Sequence, residues 1–268
     1  MRNNQKYNRI VAENDEYITP PNMKKYPLPS SLIFYLNLAR IVIYNNRIAK
    51  KGIYDDIRWA NSSIDTFDSL EHSGIRFHFT GMSNLKKVDT PVVFIGNHMS
   101  TLETMVLPMV IQPIKRVIFV IKEELAKYPV FGPIAKARDP ILVGRENPRE
   151  DLRIVLEEGS QKIHNGKSVI IFPQRTRSLN FEPASFNSLG VKLAKRNNVP
   201  VIPIAILSDA WGNGKYIKEI GKIDPFKEVR FSFGEPIFIS GNGAEDHQRV
   251  IDFISDKLKE WRSEEILK

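Results

Sequence analysis

The chain is expected to fold as an α/β protein: a mostly parallel central sheet flanked by helices, with an N-terminal helical segment suited to a membrane surface. Three observations lead there. From residue 75 onward, short apolar runs alternate with longer stretches of mixed apolar and charged residues, the order that a parallel sheet with crossover helices requires. The runs 91–96 and 168–172 are apolar nearly throughout, as in strands buried on both faces. Finally, 268 residues with 42% hydrophobic and 26% charged content suffice for one large core with an appendage.

The elements follow in order. Residues 1–30, rich in Asn, Lys, Tyr and Pro, read as an extended or weakly ordered arm. Ser30 and Ser31 can cap a helix over 32–51, with Arg40, Arg47, Lys50 and Lys51 towards its end, where cations suit the helix dipole. Aromatic, aliphatic and basic residues in one helix fit an interfacial amphipathic helix, and fit equally a helix packed on its own domain. Its apolar stretch, 32–44, is interrupted by Asn37 and Arg40 and falls short of the roughly 20 apolar residues that span a bilayer. A second, more polar helix covers 54–70. Residues 1–70 are therefore set apart as arm and amphipathic helices, and 71–268 as the catalytic-type α/β domain.

Within that domain, strands are expected at 75–80 and 91–96, a helix at 102–111, and a strand at 116–121. A short helix, a turn at 129–133 and a strand at 141–143 come next. Asn147-Pro148 opens a helix to residue 164, with Asn at the cap and Pro in the first turn. Then follow a strand at 168–172, a helix at 189–196, a strand at 201–207, strand-like runs at 229–233 and 237–238, and a closing amphipathic helix at 244–267.

Composition narrows the function. The chain has no cysteine, which removes disulfides, thiol nucleophiles and thiolate metal sites. Its five histidines, His72, His78, His98, His164 and His247, are dispersed without a His-x-x-x-His pair, so no metal site is expected. A net charge of +8 favours anionic partners such as phospholipid surfaces or phosphorylated substrates. Nucleic acid would account for the charge and for nothing else, and is not expected as a partner. The polar start, 1–17, is unlike a secretory leader. The expected location is the cytoplasmic face of the cell membrane, bound peripherally.

Active sites in such sheets lie beyond the carboxyl ends of strands, and two chemistry-bearing clusters fall there. The first is Val-Phe-Ile-Gly-Asn-His-Met-Ser-Thr-Leu-Glu at 93–103. Histidine suits proton transfer near neutrality, and a carboxylate five positions on can fix its tautomer and raise its basicity, which singles out His98 and Glu103. Ser100-Thr-Leu-Glu103 is equally a capping box for the helix that follows. That reading leaves His98 unexplained, and the two can coexist.

The second cluster is Ser-Val-Ile-Ile-Phe-Pro-Gln-Arg-Thr-Arg-Ser at 168–178, which delivers Arg175, Thr176, Arg177 and Ser178 into a turn. Two guanidiniums, a hydroxyl and exposed amides at a strand end can cradle a phosphate; a solvated basic turn is the plainer alternative. Arg145, in Pro-Ile-Leu-Val-Gly-Arg-Glu-Asn at 140–147, follows another strand and taken alone reads as an exposed loop arginine.

His-x4-acid, preceded by Asn and followed by Ser two residues on, resembles the signature of the glycerolipid acyltransferases, the lysophosphatidate acyltransferase group in particular. Tyr-Pro-Val-Phe-Gly-Pro at 128–133 with 140–147, Phe-Pro-Gln-Arg-Thr-Arg-Ser at 172–178, and Val-Pro-Val-Ile-Pro-Ile at 199–204 resemble that family's remaining blocks, in the same order. The resemblance covers about 91–206. It implies transfer of a fatty acyl group from a thioester of coenzyme A or acyl carrier protein to a hydroxyl of a lysophospholipid, 1-acylglycerol-3-phosphate foremost, in phospholipid biosynthesis. By the same resemblance His98 is the general base and Glu103 its orienting carboxylate. Arg145, Arg177 and Arg175 hold the acceptor phosphate, and Thr176 with nearby backbone amides donates to the oxyanion. No metal or bound cofactor is implied, the acyl thioester being a co-substrate.

The chain departs from the family's Phe-Pro-Glu-Gly-Thr-Arg-Ser at Gln174 and Arg175, and from its Phe-Lys-x-Gly segment at Asn187 and Leu189. Gln174 and Arg175 are expected to retune acceptor choice, and they motivate a second reading, a non-catalytic lipid-binding protein that keeps the fold. A serine hydrolase is disfavoured because the chain has no Gly-x-Ser-x-Gly elbow.

Overall fold

The apolar runs pair into one sheet, and what each run can bury decides where it lies in that sheet. The computed structural model describes residues 15–26, 30–174, 176–215 and 218–267. Its strands are β1 (Tyr17–Ile18), β2 (Arg76–Thr80), β3 (Val93–Gly96), β4 (Val117–Lys122), β5 (Ile141–Val143), β6 (Ser168–Ile171), β7 (Val201–Leu207) and β8 (Glu228–Phe233), in the order β1-β2-β8-β7-β3-β6-β4-β5. The five strands β7, β3, β6, β4 and β5 run parallel, as expected. β8 turns back antiparallel on β7 and pairs parallel with β2, which β1 joins antiparallel.

Helices cover both faces. On one lie α1 (Ser30–Lys50), α2 (Asp56–His72) and α3 (Leu102–Ile111); on the other lie α6 (Pro148–His164), α7 (Leu189–Arg196) and α8 (Ala244–Ile266). Two short helices, α4 (Glu123–Lys127) and α5 (Gly132–Ala137), follow β4. β3 shows why its sequence is apolar at consecutive positions: Phe94 packs with Phe34, Phe67 and Val106 on the first face, while Val93 and Ile95 pack with Val191, Leu193 and Val250 on the second. Helix α7 lies so close to β3 that a Cβ on Gly190 would stand 2.5 Å from Ile95 Cδ1. The caps are local and legible: Asp55 accepts the Arg58 amide at the start of α2, and Asn147 accepts those of Arg149 and Glu150 at the start of α6.

Three details differ from expectation. The arm contributes β1, fastened by the Tyr17 and Thr19 hydroxyls, which donate to buried Glu71 at 2.6 and 2.7 Å. The segment expected as a turn at 129–133 leads directly into α5, with Pro133 in its first turn where a missing N–H costs nothing. The run at 237–238 makes only a single bridge, Ile237 to Val201, and Phe238 is exposed.

Helix α1 has two unlike faces. Phe34 is fully buried against Trp211, ring centroids 4.9 Å apart, so the helix is packed on the domain. Leu32, Leu36, Ile43 and Tyr44 are exposed together with Arg40, Arg47 and Lys50, and no acidic side chain lies among them. Among the described residues no helix is long and apolar enough to cross a membrane.

Candidate active site

The carboxyl ends of β3, β5, β6 and β7 converge, and the chain leaves the sheet there carrying the residues singled out above. β3 ends at Gly96, and Asn97 at once locks the break: its Nδ2 donates to the Ile206 carbonyl at 2.8 Å and its Oδ1 accepts the Ile206 amide at 2.9 Å. The side chain thereby replaces a ladder pair between β3 and β7, and His98 follows from a fixed point.

His98 and Glu103 do meet. His98 Nδ1 donates to Glu103 Oε1 at 2.8 Å; a carboxylate only accepts, so the proton sits on Nδ1 and Nε2 is left as the basic nitrogen. Glu103 is fully buried and heavily bonded. Its Oε1 also accepts the amides of Met99 and Ser100, at 2.7 and 2.9 Å, and its Oε2 accepts the hydroxyls of Ser100 and Ser208, at 2.9 and 2.6 Å. Burial pushes this carboxyl up, but the bonds from His98, Ser208 and the Ser100 amide outweigh it, and Glu103 lies below the usual glutamate value. The capping reading is met in part and the dyad in full. Glu103 accepts the amides of Met99 and Ser100, just ahead of α3, and the Ser100 hydroxyl accepts that of Leu102 at 3.1 Å, while Thr101 at the cap position makes no side-chain bond. The Glu103 oxygen that takes those two amides also orients the imidazole.

The imidazole stacks on Phe172, with centroids 4.6 Å apart and planes 8° from parallel. Its backbone is held from the segment after β6. The His98 amide donates to Gln174 Oε1 at 2.6 Å, and the His98 carbonyl accepts the Ser178 amide at 2.9 Å.

Two cavities meet at His98. One, about 380 Å³, is apolar and runs beneath α1 and α2, lined by Leu38, Val42, Trp59, Phe119, Ile121 and Ile134. The other, about 670 Å³, is polar and of mixed charge, with Lys122, Arg145, Arg177, Lys192 and Lys218 facing Glu124, Glu146, Asp151 and Glu219, and with Thr176 among them. Arg177 borders both; its Nη1 donates to Thr101 Oγ1 at 2.8 Å and its Nη2 to Glu219 at 2.6 Å. Arg145 sits in the left-handed region at φ 65°, with its amide and that of Gly144 donating to Asp151. Burial lowers the Arg145 guanidinium from its ordinary value; Asp151 opposes the fall and the neighbouring charge of Arg177 adds to it. Thr176 is exposed on the polar cavity. Arg175 lies outside the described residues.

Sequence reasoning did not single out Ser208, although it immediately follows an apolar strand at the active end of the sheet, where a hydroxyl merits notice. Gln174, expected to bear on acceptor choice, has its side-chain carbonyl on the His98 amide. No described group of three or more His, Asp or Glu side chains is arranged to hold a metal ion.

Comparison with known proteins points to one family. A family model described as Acyltransferase matches residues 76–207, a span that contains both members of the dyad and both arginines. The chain is 29% identical over 192 residues to a 1-acyl-sn-glycerol-3-phosphate acyltransferase of Pseudomonas aeruginosa, covering 70% of this chain and 71% of that protein. It is 29% identical over 157 residues to the chloroplastic 1-acyl-sn-glycerol-3-phosphate acyltransferase BAT2 of Brassica napus, covering 59% of this chain and 41% of the plant protein. A probable 1-acyl-sn-glycerol-3-phosphate acyltransferase of Mycoplasma genitalium is 30% identical over 153 residues, which are 55% of this chain and 56% of that one. The crystal structure of the 1-acyl-sn-glycerophosphate acyltransferase PlsC from Thermotoga maritima shares the fold, with a TM-score of 0.62 over 88% of this chain and 95% of that chain, at 19% sequence identity.

Proposed function

The chain belongs to the glycerolipid acyltransferase family, and on that premise we propose that it moves a fatty acyl group from a thioester to the free hydroxyl of 1-acylglycerol-3-phosphate, a step of phospholipid synthesis. The observation that carries the reading is the position of His98, which Glu103 holds by Nδ1 and which lines an apolar cavity on one side and a polar one with five cationic side chains on the other. The first suits an acyl chain and the second a phosphate-bearing head group.

In this mechanism Nε2 takes the proton of the acceptor hydroxyl as its oxygen attacks the thioester carbonyl. Glu103 holds Nδ1–H and offsets the positive charge that the imidazole acquires. The tetrahedral intermediate carries its charge on the former carbonyl oxygen, towards which the Thr176 hydroxyl and adjoining amides donate. Collapse expels the thiolate, which receives the proton from His98. Arg145 and Arg177, with Arg175 beside them in sequence, bind the acceptor phosphate through charge-assisted bonds. The reaction uses no metal or prosthetic group; the thioester of coenzyme A or acyl carrier protein is the co-substrate. The exposed apolar and basic face of α1 supports peripheral docking on an anionic membrane, at its cytoplasmic face. A purely lipid-binding role would leave the His98 imidazole, held in one tautomer by Glu103, without a task.

The test is transfer of a labelled acyl group from acyl-coenzyme A or acyl carrier protein to 1-acylglycerol-3-phosphate, in wild type and in His98→Ala. Loss of a positioned base typically lowers the rate roughly 10²–10⁴-fold, with the fold intact by circular dichroism. Turnover within about tenfold of wild type in the folded variant lies below that range and sinks the mechanism.

A further inference from the structure

The ladder that orders β3 stops before His98: the last pairs are Ile95 with Ile171 on β6 and Gly96 with Ile204 on β7. The His98 amide therefore has no sheet partner, and an inward-facing N–H without one is costly. Gln174, 6% exposed at the end of β6, supplies the acceptor at 2.6 Å. Together with the Phe172 ring below the imidazole and the Ser178 amide on the carbonyl, it clamps His98 at backbone and ring face, while Glu103 clamps the ring edge. With these points held, the direction of Nε2 is set.

We propose that Gln174 is a positioning residue that holds His98 through its backbone amide and so aims Nε2 into the cleft, rather than a contact for the acceptor head group. This rests on His98 being the base assigned above. An amide carbonyl does this without charge. A carboxylate at the same place would accept the same bond but add a second negative charge beside an imidazole already paired with Glu103. The other charged side chains lining the cavities at His98 come from β4 (Lys122), α4 (Glu124), the α5 end (Arg138), the β5 end (Arg145, Glu146), α6 (Asp151), the β6 end (Arg177), α7 (Lys192) and the 218–221 segment (Lys218, Glu219), and among the described residues none of them bonds the imidazole.

Two variants separate the roles. Gln174→Leu keeps the volume and removes the acceptor; with the His98 backbone no longer fixed and its base misaimed, kcat is expected to fall about ten- to a hundredfold, with KM for both substrates within about threefold. Gln174→Glu restores the bond, so kcat recovers at higher pH and the acid limb of its pH profile moves upward. Activity-independent evidence comes from NMR titration of His98 in the substrate-free protein: Gln174→Glu raises its pKa, and Gln174→Leu displaces its ring resonances. If wild type transfers no acyl group, the functional reading fails while the titration still decides the positioning role. If Gln174→Leu does not fold, Gln174→Glu carries the test alone. Unchanged His98 resonances in both variants overturn the proposal. So does a change confined to acceptor KM, or to the preference between phosphate-bearing and zwitterionic lysolipids.

Discussion

Glu103 is a buried carboxylate that remains charged because every direction around it is filled with donors: one imidazole N–H, two amides and two hydroxyls. Its carboxyl is held below its ordinary value in the folded protein, by the bonds from His98, Ser208 and the Ser100 amide, despite the burial that pushes it up. The sign follows from that direction. A carboxyl lowered by folding contributes stability in full above its unfolded value, and the contribution disappears as pH falls through the lowered native value. Glu103→Gln keeps the shape and loses the charge, so Tm should become less pH-dependent on the acid side. The same change removes the compensation for protonated His98, a charge-assisted bond worth about 1.5–3 kcal/mol, so kcat should drop about ten- to a hundredfold. Wild-type turnover in a folded Glu103→Gln would return the residue to a purely capping role. Ser208→Ala removes one donor to that charge and should lower stability by about 1–3 kcal/mol in a denaturant titration. An unchanged midpoint would mean that water takes the hydroxyl's place.

At the scale of elements, Lys218, Glu219 and Ile220 line the two cavities, and Glu219 accepts the Arg177 guanidinium at 2.6 Å. Arg177 and Glu219 are each partly exposed, so solvent screens the pair and its worth is about 0.2–1 kcal/mol. An acceptor phosphate bound at Arg177 as proposed would compete with that carboxylate for the guanidinium. Glu219→Gln should therefore lower KM for 1-acylglycerol-3-phosphate by about two- to fivefold, and leave KM for an uncharged monoacylglycerol unaltered. A higher KM for the phosphate acceptor would instead make Glu219 the residue that orients Arg177. The two-faced α1 belongs to this scale as well. Its buried Phe34 and exposed Leu32 and Leu36 mean that deleting the helix would open the core around Trp211, whereas surface substitutions test docking alone.

For the whole molecule, a net charge of +8 and the apolar, basic face of α1 make the same prediction. The protein should sediment with anionic vesicles and be released as salt rises, because the screening length shrinks to about 10 Å at 0.1 M. Leu32→Glu with Leu36→Glu should weaken that binding while sparing transfer to a short-chain acceptor presented in solution. Equal sedimentation with neutral and anionic vesicles at every salt concentration would refute the charge argument.

What could be read from the chain alone was whatever depends on neighbours in sequence. Consecutive apolar residues at 93–95 and 168–171 require cover on both faces, so the parallel sheet and its flanking helices were legible, as were Asn147 before Pro148 and the proximity of His98 to Glu103, five residues apart across one turn. The arm's β1 was not, because two residues carry no periodicity and pair only once β2 exists. Nor was Ser208, which reaches Glu103 from 105 positions away, or the role of Gln174, whose type suggested the acceptor and whose bond goes to the His98 backbone. The physical reason is the same in each case. Hydrophobic pattern and capping act over a few residues, whereas the surroundings of His98 are assembled where β3, β6 and β7 end side by side, and only the folded sheet brings those ends together.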